Sequence, residues 1–186
     1  MTEEINKTFE QLQAGNTILY PTDTVWGLGC DATNPEAVAK IYQLKNREES
    51  KALICLVSDI RMLERYIAEI PEVAYELLAA TDKPTTIIYD NPVGIAENLV
   101  AADKTLAIRI PDDEFCQKLL RKFKRPIVST SANVSGQPTP RNYKEISSEI
   151  LKGVDYIVNV PEKNTASKPS TIIQLRSNGE IKIIRA

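Results

Sequence analysis

The first fourteen residues place Ile5, Phe9 and Leu12 on one side of a 3.6-residue repeat, with charged and polar positions between them. That spacing predicts an amphipathic helix over 4–14, stopped by Gly15. A short apolar run at 17–20 predicts a strand, which runs into the polar turn Pro21-Thr22-Asp23-Thr24. Asn34 followed by Pro35 is a helix start: the Asn side chain caps open N–H groups, and Pro tolerates the first helical position. The helix it opens is predicted to reach about residue 45. Beyond it the pattern predicts a strand over 53–57, helices over 59–66 and 71–80, strands over 85–89 and 106–110, a helix over 112–122 and a strand over 126–129. A loop rich in Ser, Thr, Asn, Gly and Pro covers 129–140, and a helix is predicted over 141–152. Strands over 156–158, 171–175 and 181–184 close the chain, the last two joined by a turn at Ser177-Asn178-Gly179. Strands and helices alternate throughout, so one layered α/β domain is expected over 1–186, and the final hairpin makes its sheet mixed.

Composition narrows the function classes. The chain is 42% hydrophobic and 26% charged with a net charge of −2, as in an ordinary soluble domain. No apolar run approaches the roughly 20 residues needed to cross a bilayer. The acidic N-terminus lacks the basic start and apolar stretch of a signal peptide, so a cytosolic location is expected. A domain devoted to duplex nucleic acid would carry a basic excess; here any RNA binding would need a local patch. Cys30, Cys55 and Cys116 lie far apart among apolar neighbours and read as small buried hydrophobes. The chain has no histidine. That removes the commonest general base, every Ser-His or Cys-His pair and most zinc sites. Chemistry would have to run on Lys, Arg, hydroxyls, carboxylates, backbone groups or a substrate-borne metal.

Three clusters are candidates for that chemistry. The turn at 20–24 brings two threonine hydroxyls and Asp23 to a strand end, with Gly27 and Gly29 following. Strand ends are where open α/β sheets hold ligands, and the same residues also suit a plain capped turn. Lys45, Arg47 and Lys51 are three cations within seven residues, and Lys45 continues the apolar face of Val38, Ile41 and Tyr42. This is either a solvated charged loop or a polyphosphate site. The run Ser129-Thr130-Ser131-Ala132-Asn133-Val134-Ser135-Gly136 is dense in uncharged donors and is no Walker A loop. Arg109 sits in the otherwise apolar strand 106–110, so it needs an anion from the protein or from a ligand.

Taken in order, the strings YPTDTVWGLGCDATN, IYQLKNR, AIRIP, STSANVSG, KPSTII and the closing IIRA resemble the YrdC/TsaC family of L-threonylcarbamoyl-AMP synthases. The likeness spans about 15–185. It implies a single twisted mixed-sheet α/β domain with a concave basic cleft, here without the C-terminal domain of longer relatives. It implies a nucleotidyltransferase that makes L-threonylcarbamoyl-AMP and diphosphate from L-threonine, bicarbonate and ATP, for threonylcarbamoyladenosine modification of tRNA by a downstream transferase complex. By the same resemblance, Thr24, Arg109, Ser129 and Ser170 serve the amino acid. Lys45, Arg47 and Lys51 form the catalytic cationic group on the phosphates. Thr105, Ser131, Asn133, Thr139 and Arg185 line the nucleotide side. Mg²⁺ would arrive with ATP, with no metal motif in the protein.

The chain departs from the family pattern in three places. Glu48 and Glu49 follow Arg47 where a proline is usual, 81–86 replaces a Trp-Pro-Gly-Pro-x-Thr string, and Cys55-Leu56-Val57 stands where some relatives carry a histidine. A non-catalytic RNA-binding module of the same fold is the rival reading, and salt-dependent RNA binding without ATP turnover is its signature. A carbamoyl-transfer unit like the related hydrogenase-maturation domain is a second, although the zinc-finger-like and acylphosphatase segments of that chain type are missing.

Overall fold

The computed structural model describes residues 1–47, 53–161 and 169–186. Its strands are β1 (Ile18–Tyr20), β2 (Gly27–Gly29), β3 (Ile54–Leu56), β4 (Thr85–Asp90), β5 (Thr105–Arg109), β6 (Ile127–Ser131), β7 (Tyr156–Ile157), β8 (Thr171–Leu175) and β9 (Ile181–Arg185). Its helices are α1 (Thr2–Gln13), α2 (Pro35–Leu44), α3 (Ile60–Leu63), α4 (Glu72–Ala80), α5 (Glu114–Phe123) and α6 (Ser148–Gly153). The strands join in one sheet, ordered β7-β1-β2-β6-β3-β5-β4-β8-β9. β1–β7, β3–β5 and β4–β8 are parallel and the other neighbours antiparallel. The sheet is therefore mixed well beyond the terminal hairpin.

The register decides what each face carries, because side chains alternate along a strand. Val128, Cys55, Ile108 and Ile87 pair in a row and are buried under Ala37, Val38 and Ile41 of α2, with Met62, Leu63, Ala74 and Ile150. The next row, Ser129, Ile54, Ala107 and Ile88, points the other way. On that second face α1 and α5 cover one flank only. Ile5, Leu12, Phe115, Leu119, Leu120 and Phe123 pack there on Ile18, Tyr20, Leu56 and Ile127. Each buried side chain of this size contributes roughly 1.5–3 kcal/mol, so apolar spacing on α5 is enough to fix it to the flank. The rest of that face is left open.

Local signals fix the ends of the helices. Asn34 Oδ1 accepts from Ala37 N, Asp59 Oδ1 from Met62 N and Asp113 Oδ1 from Cys116 N. The predicted helix over 141–152 divides: Arg141–Glu145 pairing accompanies a 3₁₀ turn at Tyr143–Glu145, and Ser147 then caps a new helix, α6. The helix expected over 59–66 shortens to α3.

β2 has no counterpart among the predicted strands, since Gly-Leu-Gly carries little strand propensity. Its glycines are there for proximity. A Cβ on Gly29 would lie 2.5 Å from the Val128 carbonyl oxygen and 2.7 Å from a Tyr20 ring carbon.

Candidate active site

The open part of the second face is a cavity of about 320 Å³. Its floor is the row just described, Ser129, Ile54, Ala107 and Ile88, extended by Gly27 and Ile172. Its walls carry Thr24, Arg47, Arg109, Ser131, Thr139, Ser170 and Arg185. Thr24 and Arg185, near opposite ends of the sequence, thus meet on one hollow, and strand order explains how: β6 and β5 flank β3 at the centre, and β8 and β9 follow β4 at the edge.

Arg109 ends β5 on the same face as Ala107 and is only 4% exposed. Its Nη1 donates to Asp23 Oδ1 at 2.5 Å, and Asp23 Oδ2 accepts from Asp112 N at 3.2 Å. The anion demanded by a buried arginine is therefore supplied first by the protein, from the turn that also carries Thr24. Within that turn Thr22 Oγ1 accepts from Thr24 N and donates to Val25 O, so it is both a capped turn and a cavity wall.

Lys45, just past α2, is 1% exposed. Its Nζ donates to Ser131 O and to Asn133 O, and its own carbonyl accepts from Ser135 N at 2.8 Å. It bolts the hydroxyl-rich loop from behind and does not line the cavity. Burial, and next the Arg47 guanidinium, bring its pKa down to about 8; the two carbonyls work against this by accepting from the charged form. Asn133 also braces the loop, its Nδ2 donating to Val134 O and Gln137 O. Thr105 shares a face of β5 with Arg109, four residues away, but its hydroxyl donates to Asp103 and it is not among the lining residues. Neither Asn133 nor Thr105 reaches the hollow as the resemblance implied. Lys51, Glu48 and Glu49 lie outside the described residues.

On the opposite wall, Ser170 Oγ and Thr86 Oγ1 are 2.7 Å apart and buried. Arg185 reaches back from β9, its Nε and Nη2 both donating to Ser170 O at 3.0 and 2.7 Å. A register shift pairs Ile172 with Arg185 and Ile173 with Ile183, skipping Ile184, which turns the arginine toward the cavity. Burial lowers the Arg185 pKa. Thr86→Val should remove the hydroxyl pair, strand Ser170 Oγ and lower stability by about 1 kcal/mol, read by urea unfolding.

Two site features were missed by sequence reasoning: the floor strand β2, hidden by its glycines, and Asp23 as the partner of Arg109. The second had a signal, because an acid at a strand end is the natural match for an arginine in an apolar strand. The altered segment at 81–85 lines a separate hollow of about 590 Å³, together with Asp23, Asp112 and Asp113. Among the described residues no His/Cys/Asp/Glu group could hold a metal ion, and no helix is long and apolar enough to cross a membrane.

The sequence model of the Sua5/YciO/YrdC family, described as telomere recombination, matches residues 10–186. The chain belongs to the Sua5/YciO/YrdC family. Among curated relatives in this family, a Vibrio campbellii protein named threonylcarbamoyl-AMP synthase is 33% identical over 182 residues, covering 90% of this chain and 98% of that protein. Among solved structures, P. abyssi Sua5 complexed with L-threonine superposes with a TM-score of 0.85 at 29% identity, over 92% of this chain. This chain spans half the length of that Sua5 chain. E. coli YciO gives a TM-score of 0.86 at 26% identity, over all of this chain and 89% of YciO. The likeness to YciO thus covers all of this chain, at the level of the fold.

Proposed function

We infer that this chain is an L-threonylcarbamoyl-AMP synthase acting in the cytoplasm, and that its product feeds threonylcarbamoyladenosine modification of tRNA by a separate transferase complex. One observation carries this reading: a single cavity joins the cationic side chains of Arg47, Arg109 and Arg185 to the hydroxyl-rich strand end Ser129–Ser131. The family relatives bearing the synthase name support it, as does the Sua5 structure with L-threonine.

In this reading the threonine amine and bicarbonate form a carbamate and water. A carbamate oxygen attacks the α-phosphorus, the bond to the bridging oxygen breaks, and diphosphate leaves. Such a displacement depends on positioning and charge neutralisation more than on a dedicated base, which suits a chain without histidine. Thr24, Arg109, Ser129 and Ser170 hold the amino acid. Arg47, Ser131, Thr139 and Arg185 hold the nucleotide, and Lys51 joins them. Lys45 and Asn133 act from behind by fixing the loop. Mg²⁺ enters as part of the ATP substrate and keeps most of its waters; hydroxyls and cations rather than carboxylates lining the cavity fit that mode of entry.

The test is to incubate the protein with ATP, bicarbonate and each amino acid in turn and to measure diphosphate. Threonine-dependent release is expected. Absence of release, together with RNA affinity that falls steeply with salt, would replace the synthase by an RNA-binding module.

A further inference from the structure

The cavity must seat two anions of very different charge, a polyphosphate and the carboxylate of an amino acid. Its two arginine ends differ in how the protein treats them. At one end, Arg109 is ion-paired with Asp23, whose far side opens on a hollow that also carries Asp82, Asp112 and Asp113. At the other end, Arg185 donates only to the neutral carbonyl of Ser170, and among the described residues no carboxylate lies within ion-pair distance of it. Both guanidinium groups reach the same cavity.

We propose that Asp23 sorts the two substrates, acting through Arg109 as a positioning residue that keeps polyphosphate out of the amino-acid end. The physical basis is that the energy between charges scales with their product. A fixed carboxylate behind Arg109 opposes a polyphosphate several times more strongly than it opposes a single carboxylate. Asp23 also occupies Nη1, so it leaves one edge of the guanidinium fork for a ligand and denies a phosphate the full fork. A carboxylate accepting from the remaining N–H groups fits that end. The polyphosphate is left the Arg185 end, where among the described residues no carboxylate is paired with the arginine. This inference rests on the two-substrate reading above.

Calorimetric titration separates the two. Threonine and inorganic triphosphate are each titrated into the wild-type chain, and then threonine into triphosphate-saturated protein. Both should bind wild type, with the threonine affinity unchanged by triphosphate. In Asp23→Asn, triphosphate should compete for the Arg109 end and weaken apparent threonine binding roughly tenfold. Asp23→Glu, which keeps the charge, should behave as wild type. Wild-type protein that binds neither ligand would overturn the functional reading itself. Binding of both, with Asp23→Asn showing no competition or Asp23→Glu showing it, would overturn the sorting role and leave the functional reading standing. Should Asp23→Asn fail to fold, Arg185→Gln decides: triphosphate affinity should fall without triphosphate starting to displace threonine, and displacement would overturn the proposal.

Discussion

Arg109→Ala is expected to lower both the stability of the protein and its affinity for threonine. The arginine is buried at 4% exposure, and its ion-pair partner Asp23 is mostly buried at 13%. Removing one partner of such a pair leaves the other charge stranded, a loss of about 3–5 kcal/mol. Asp23 would keep only the long bond from Asp112 N. Threonine would lose its charge-assisted donor, which corresponds to roughly a 10- to 150-fold rise in apparent dissociation constant at about 1.5–3 kcal/mol. The two effects separate in Arg109→Ala/Asp23→Ala. With both charges gone, urea unfolding should return toward the wild-type midpoint, while threonine-dependent diphosphate release stays low. Activity recovering along with stability would remove Arg109 from substrate binding.

Lys45→Met is the second large effect, and it has a pH signature. The variant keeps the apolar stem but leaves the Ser131 and Asn133 carbonyls without their donor. Unsatisfied buried carbonyls cost about 1–3 kcal/mol each, and relief of the buried charge offsets part of this, so a net loss of about 1–3 kcal/mol is expected at neutral pH. Burial brings the folded pKa from the ordinary 10.5 to about 8. Between those values the unfolded chain binds more protons at this amine than the folded chain, so wild-type stability climbs with pH. The penalty of the buried charge is fully present below pH 8 and fades toward 10.5. A neutral amine still donates to both carbonyls. The stability gap between wild type and Lys45→Met should therefore widen over that window, and a gap that stays level would show that Lys45 does not titrate there.

These residues also show what the sequence disclosed and what it hid. Local physics was legible. Asn34 and Pro35 announced α2, a helix was expected over 112–122 where α5 lies, and Ser177-Asn178-Gly179 announced the last hairpin. The helix predicted over 141–152 failed because a serine cap inside it restarts the helix, a local competitor to the periodic pattern. Non-local placement was harder. Gly27 and Gly29 fall in no predicted strand, yet they form one, with Tyr20 and β6 pressed on them from either side. Lys45 read equally as part of a solvated charged loop or of a polyphosphate site. Only the position of the 131–135 loop, 86 residues downstream of it at Ser131, decides that it faces inward. The family strings gathered most of the site residues on one surface. They did not separate those that touch the hollow from those that brace it, because bracing and touching leave the same residue types in the sequence.

The base of the hollow has a consequence for size selection. Ala107, Ile54, Ser129 and Ile88 stand on strands hydrogen-bonded on both sides, so the base cannot sink to admit a larger guest. Depth is then metered by single methyl groups: a valine in place of Ala107 would make the well shallower, and a glycine would deepen it. A rigid gauge of this kind grades occupants by bulk from underneath, whatever the surrounding loops do.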